Sequence, residues 1–188
     1  MAKKQRVLIL AGSGTGKTTA AALYKNVADL DTIDFMFKYS KKRFWKLSTE
    51  ELKNLVNGWI ANPADYPEGS IKQRGLWGML KFFFAMKKEM KSNIVLIPLI
   101  PETFKGMRKP FKKARKILIF PDKDIFPEYA ERFRARGNDE NFIKVREADH
   151  NAVWELLETK HNFETIILKQ GEYLTDVLKK IGVDLIGS

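Results

Sequence analysis

Near the start of the chain, Val7-Leu8-Ile9-Leu10 runs without a polar residue into Ala11-Gly12-Ser13-Gly14-Thr15-Gly16-Lys17-Thr18-Thr19, and the helix formers Ala20-Ala21-Ala22-Leu23 follow. The apolar run is too short for a buried helix, so the order reads strand, glycine-rich loop, helix. Three glycines permit positive φ angles, which lets consecutive N–H groups, roughly Ser13 to Lys17, face one point as an anion cradle. The Lys17 ammonium is then placed for the outer phosphates of a bound triphosphate, and the Thr18 hydroxyl for the shell of a Mg²⁺ ion. A turn rich in Gly, Ser and Thr that merely caps a helix uses the same residue types, but it does not require the strand in front.

This stretch resembles the phosphate loop of the P-loop NTPases in its relaxed form, with Ala11 where the strict pattern has glycine. The resemblance implies ATP and Mg²⁺ as ligands, with Gly12, Ser13, Gly14, Thr15, Gly16 and Lys17 around the donor phosphates, Thr18 on the metal and Thr19 at the α-phosphate. It also implies an α/β fold: a three-layer sandwich with a five-stranded parallel sheet of order 2-3-1-4-5 and helices on both faces.

Composition bounds the rest. A chain of 188 residues suits one domain. It has no cysteine, which excludes disulfides and cysteine-based zinc sites, and its two histidines, His150 and His161, show no ligand spacing. The net charge of +11 suits polyanionic partners, nucleotides at least and nucleic acid as an alternative. The basic start Met-Ala-Lys-Lys-Gln-Arg precedes too short an apolar run for a signal peptide or a span, so the expected location is the cytoplasm, away from membrane.

Further along, Asn26 to Leu30 reads as a second strand with Asp31 at its carboxyl end and Asp34 one step on. Ligands of open α/β sheets bind at the carboxyl ends of strands, which puts both carboxylates beside the phosphates as proton acceptors or as holders of a metal-bound water. Aspartates in this place resemble those of shikimate and gluconate kinases; an acidic turn or a helix cap would use the same residues.

Residues 35–93 form a long segment before the third strand, with aromatic and basic residues interleaved from Phe35 to Lys46, a helix from Ser48 to about Ala61, and a helical stretch from about Ile71 to Lys91 carrying Leu76, Trp77, Leu80, Phe83, Phe84 and Met90. In nucleoside monophosphate kinases the equivalent insertion binds the acceptor, which points to Arg43 and Arg74 as acceptor-phosphate ligands. The aromatic and basic stretch is also of the kind that stacks the bases of a single strand. The third strand, Asn93 to Pro98, is not closed by an aspartate, so the usual second metal carboxylate is missing; Glu102 from the following loop, or Asp31 through water, stands in.

Lys105 to Lys116 is a cationic run with no acid, read either as a solvated crossover or as a polyanion contact. Lys116 to Phe120 is a fourth strand. From about Pro127 a helix carries Arg132 and Arg136, four apart on one face, before Gly137-Asn138 stops it. That pair resembles the start of the lid of adenylate-kinase-like proteins, whose arginines close over the triphosphate. The lid-like segment is about 127–140. A helix broken near Asp149 covers Asp139 to Lys160, Thr165 to Leu168 is a fifth strand, and Glu172 to Ile181 a last helix. By the same resemblance Gln170 and Gly171 line the base pocket.

The closest likeness is to small nucleoside- and nucleotide-kinase-like P-loop proteins of the kind often found in phage genomes. It implies ATP–Mg²⁺-dependent phosphoryl transfer to a small nucleotide, with Lys17, Asp31, Asp34, Arg132 and Arg136 as the catalytic set. Two other readings stand beside it: a kinase acting on a hydroxyl of a nucleoside or of nucleic acid, and a nucleotide-dependent nucleic-acid-binding protein without transfer activity. Nothing in the sequence sets the oligomeric state.

Overall fold

The computed structural model describes residues 6–39, 51, 55, 56, 58, 59, 71–91, 94–109 and 111–187. Five strands, β1 (Val7–Ala11), β2 (Val27–Asp29), β5 (Ile94–Pro98), β6 (Arg115–Pro121) and β7 (Glu164–Leu168), form an all-parallel sheet in the order β2-β5-β1-β6-β7. Counted along the sheet alone this is 2-3-1-4-5, the expected order. A separate antiparallel pair joins β3 (Phe37–Tyr39) to β4 (Ile71–Gln73). The helices are α1 (Lys17–Leu23), α2 (Ile33–Met36), α3 (Gly75–Glu89), α4 (Pro101–Met107), α5 (Phe126–Ala135), α6 (Glu140–Leu157) and α7 (Leu174–Lys180), with a 3₁₀ turn at Lys123–Ile125.

Parallel strands buried on both faces read as continuous apolar runs, and here they sort by the two-residue period of a strand. Leu8, Leu10, Val95, Ile97, Leu118 and Phe120 face one core, under α3, α4 and α6. Val7, Ile9, Ala11, Leu96, Ile117 and Ile119 face the other, under α1 and α7. Each such side chain contributes roughly 1.5–3 kcal/mol by leaving water.

Two of the elements expected from the sequence form differently. Ile71–Gln73 is a strand, so α3 starts only at Gly75, and its inward stripe is Gly78, Phe82 and Met86 while Leu76, Trp77, Leu80 and Phe84 are exposed. The stripe runs through Gly78 because α2 crosses there: a Cβ on Gly78 would sit 2.7 Å from the Phe35 carbonyl oxygen. Residues 140–157 form one unbroken helix through Asp149, capped by the Asp139 carboxylate, which accepts from the Phe142 N–H at 2.7 Å.

The cationic run is only partly solvated. Lys116 is buried and donates to the Met107 and Arg108 carbonyls at the end of α4, with its pKa lowered by that burial. Arg115 makes a bidentate pair with Glu164 and donates to the Ile181 carbonyl. Lys105, Lys109, Lys112 and Lys113 remain exposed.

Buried Asn26 ties the C-terminal residues to the start of β2. Its amide donates to the Asp184 carbonyl at 2.6 Å and accepts from the Ile186 N–H at 2.8 Å. Asn26→Ala removes both bonds and should lower stability by about 1–3 kcal/mol in urea unfolding, with faster amide exchange at Ile186.

Candidate functional site

The glycine-rich loop leaves β1 at the carboxyl edge of the sheet, where the Gly12 N–H still bonds the Ile119 carbonyl at 3.0 Å and the Leu99 N–H bonds that of Ala11 at 2.9 Å. Thr15 is fully buried; its hydroxyl donates to the Gly12 carbonyl at 2.8 Å and its own carbonyl accepts from the Leu174 N–H at 2.9 Å. Those bonds hold the loop's shape. Gly14, at φ 77°, has no room for a side chain, since a Cβ there would lie 2.9 Å from both Phe133 and Tyr129 of α5. Gly16, also at positive φ, caps α1. The Lys17 ammonium folds along the loop and donates to the Ala11 carbonyl at 3.1 Å and the Gly12 carbonyl at 2.9 Å. Ser13 is half-buried, and Thr18 and Thr19 are exposed at the start of α1.

The carboxylate that meets Thr18 is Asp29, the last residue of β2. The Thr18 hydroxyl donates to Asp29 Oδ2 at 2.9 Å, while Asp29 Oδ1 is buried with no hydrogen-bond partner among the described residues. β2 ends at Asp29, one residue before the expected Leu30, which brings Asp29 rather than Asp31 to the strand end. Asp31 follows in the loop, partly buried. The side chain of Asp34 and all of Arg43 lie outside the described residues, as does most of the 40–70 segment. Glu102 is exposed in the first turn of α4, the helix after β5. Arg74 stands at the N-terminus of α3 against α2, its N–H bonding the Met36 carbonyl at 2.7 Å and its buried Nε without a hydrogen-bond partner among the described residues.

Of the expected pair Arg132 and Arg136, the structure brings only Arg132 to the loop. Its guanidinium lies 3.5 Å from the Gly14 carbonyl, between the rings of Tyr129 and Tyr173 at 4.5 and 4.0 Å, and pairs with Glu128. Arg136 is the exposed C-cap where α5 ends. Gln170 and Gly171 are exposed in the turn after β7, and the Gly171 N–H donates to the Glu128 carboxylate at 3.3 Å, which fastens this turn to α5.

Beside the loop, a cleft of about 310 Å³ including its open mouth is lined by Ser13, Tyr129, Arg146, Asp149 and His150 with aromatic neighbours. Sequence reading missed this group, whose members come from the glycine-rich loop, α5 and α6. Arg146 pairs with Asp149 at 3.1 Å. Burial pushes the Asp149 carboxyl up, Arg146 opposes it and Glu102 adds to it. Burial likewise pushes the Tyr129 phenol up, to about 12. His150, only 4% exposed, stacks on Phe120 with ring centres 4.7 Å apart. Neither the Tyr129 hydroxyl nor His150 Nε2 has a hydrogen-bond partner among the described residues.

Among the described residues no helix is long and apolar enough to cross a membrane, and no three His, Cys, Asp or Glu side chains cluster as a metal site. No family model matches this chain, and no curated protein is significantly similar to it.

Burial pushes the His150 pKa below its ordinary 6.5, against a hydrogen bond to the Lys123 backbone and the pull of Asp122. The unfolded chain therefore takes up this proton first. The stabilising effect of neutral His150 is complete above about pH 6.5 and declines as pH falls towards the folded-state value. His150→Phe, which keeps the stacking, should flatten the pH dependence of the urea midpoint between pH 6.5 and 5.

Proposed function

We propose that the chain is a phosphotransferase that moves the terminal phosphoryl group of ATP–Mg²⁺ to a small acceptor. The observation that supports it most is the hydroxyl–carboxylate pair of Thr18 and Asp29 at the foot of the glycine-rich loop, with one carboxylate oxygen buried and unsatisfied. Hard oxygen donors of this kind suit Mg²⁺. Thr18 would hold the ion, with Asp29 directly or through a water. Bound with the triphosphate, Mg²⁺ neutralises charge on the outer phosphate oxygens.

The chain's own residues would act as follows. Lys17 exchanges its carbonyl partners Ala11 and Gly12 for phosphate oxygens, a stronger charge-assisted contact. The N–H groups from Ser13 to Lys17, which follow Gly12 in the loop, bind the donor phosphates, and Thr19 the α-phosphate. Arg132, held over Gly14 by Glu128 and two tyrosines, stabilises charge on the transferred group. Gln170 and Gly171 border the base. Arg74, with Arg43 from the insertion, holds an acceptor phosphate, and Asp31 or Asp34 orients the acceptor. A cytoplasmic enzyme free of membrane is the setting this implies.

A nucleoside monophosphate is the acceptor to which the kinase likeness points. A hydroxyl acceptor is the second reading, favoured by the carboxylate of Asp149 in the cleft beside Ser13. Nucleic-acid binding draws support from the exposed Lys105, Lys109, Lys112 and Lys113, while Arg115 and Lys116 are engaged with Glu164 and with the end of α4; the other basic stretch, at 38–46, lies mostly outside the described residues.

The deciding assay is ADP release from ATP–Mg²⁺ across nucleoside monophosphates, nucleosides, and single- and double-stranded DNA. Lys17→Ala should lose about 100-fold or more in turnover with its melting temperature unchanged, since it removes charge stabilisation and no buried packing. Full activity in that variant would rule out the reading. Asp29→Asn should raise the Mg²⁺ concentration for half-maximal activity by about 10–100-fold, the range seen for residues that orient metal ligands.

A further inference from the structure

The cleft beside Ser13 combines three properties that discriminate between acceptors. The first is size: the room the cleft leaves for water, about 20 Å³, suits a hydroxyl-sized group. The second is charge. Arg146 is balanced by Asp149, Glu102 adds a further negative charge close by, and His150 is kept neutral by burial, so a dianionic phosphate would meet net repulsion. The third is unmet hydrogen bonding. The Tyr129 hydroxyl and His150 Nε2, on residues that line this cleft, are buried without a hydrogen-bond partner among the described residues, the phenol lying also by Arg132, Glu128 and Tyr173, and each is at a cost unless something polar enters. An O–H group, which both donates and accepts, satisfies all three.

We propose that this cleft seats an uncharged hydroxyl nucleophile, that of an alcohol or sugar acceptor or of water, and that Asp149 takes its proton. The inference rests on the phosphotransferase reading above. As the O–H proton passes to an Asp149 carboxylate oxygen, the hydroxyl oxygen forms its bond to the γ-phosphorus of ATP. The bond from that phosphorus to the β,γ-bridging oxygen breaks, and its electron pair leaves with ADP. Arg146, paired with Asp149 at 3.1 Å, positions the carboxylate. A base is most effective when its pKa approaches the working pH, and burial moves Asp149 in that direction. The other ionisable groups that face this wall are Glu102 on α4, Tyr129 on α5 with Glu128 and Arg132 beside it, His150 on α6, and Asp122 and Lys123 at the start of the 3₁₀ turn.

The test combines ATP binding by fluorescent-nucleotide titration with ADP release and ³¹P NMR of the products, for wild type, Asp149→Asn and Tyr129→Phe. Acceptors are water alone, glycerol, hexoses, deoxynucleosides and nucleoside monophosphates. The expected result is turnover with water or with an alcohol, the NMR signal of inorganic phosphate or of a phosphate ester telling which. Its rate should fall at acid pH through a pKa above the ordinary carboxylate range. Asp149→Asn should bind ATP as wild type does, lose about 100-fold or more in kcat and lose that acid limb. Tyr129→Phe should raise KM for the hydroxyl acceptor with the melting temperature little changed, because the deleted oxygen has no hydrogen-bond partner among the described residues.

Turnover confined to monophosphates, or none with any hydroxyl despite ATP binding, would overturn the inference and leave the phosphotransferase reading standing in the first case. So would an acid limb that survives Asp149→Asn and vanishes in Asp31→Asn. Should Asp149→Asn fail to fold, an unchanged KM in Tyr129→Phe would overturn it. Failure of the wild type to bind ATP would overturn both readings at once.

Discussion

Everything else in the molecule hangs on the burial of β1. It has a strand on each side and a helical layer on each face, so Leu8, Ile9, Leu10 and Ala11 are wholly out of water and every backbone group must be paired in the sheet. A strand in that position can deliver its chain only to the carboxyl edge. The turn there has to be tight, because Phe120 and Pro121 of β6 close on one side of Gly12 and α5 closes on Gly14. The glycines are therefore required by packing as well as by any ligand, and Thr15 spends its hydroxyl on holding the same turn.

That crowding links distant parts of the chain. α5 touches Gly14 through Tyr129 and Phe133, Arg132 lies between Tyr129 and Tyr173, and Glu128 joins Arg132 to the Gly171 N–H. The loop after β1, the helix after β6 and the turn after β7 thus share one contact network, so movement of α5 changes the wall of the glycine-rich loop. On the proposed reading, a triphosphate in that loop would draw Lys17 away from two backbone carbonyls and offer Arg132 an anionic partner, and both exchanges would act within this network.

The strand–loop–helix unit and the positions of the later strands were legible because each rests on local periodicity and short-range breakers, whereas the sheet order was implied only by the resemblance to P-loop proteins. The helical stripe of α3 was not. Leu76, Trp77, Leu80 and Phe84 repeat at a helical interval as well as Gly78, Phe82 and Met86 do, and the close approach of α2, which only a glycine admits, chooses between the two faces. Lys116 reads as one more cation in a basic run, yet it is buried because the end of α4 presents two carbonyls to it. His150 reads as an ordinary helix residue, yet it lies among Phe120, Phe126 and Trp154.

By itself the sequence determined what depends on neighbours in the chain: five buried strands, a glycine loop with Lys17 and Thr18 at its end, and Arg132 one helical turn before Arg136. Only the tertiary structure decided which carboxylate meets Thr18, which of the two arginines reaches the loop, and that Ser13, Tyr129, Asp149 and His150 share one cleft. The reason is physical. Backbone conformation follows from local sterics and hydrophobic period, whereas a site's chemistry depends on where strands end and how helices cross. Those are outcomes of packing between residues from 11 to 118 positions apart.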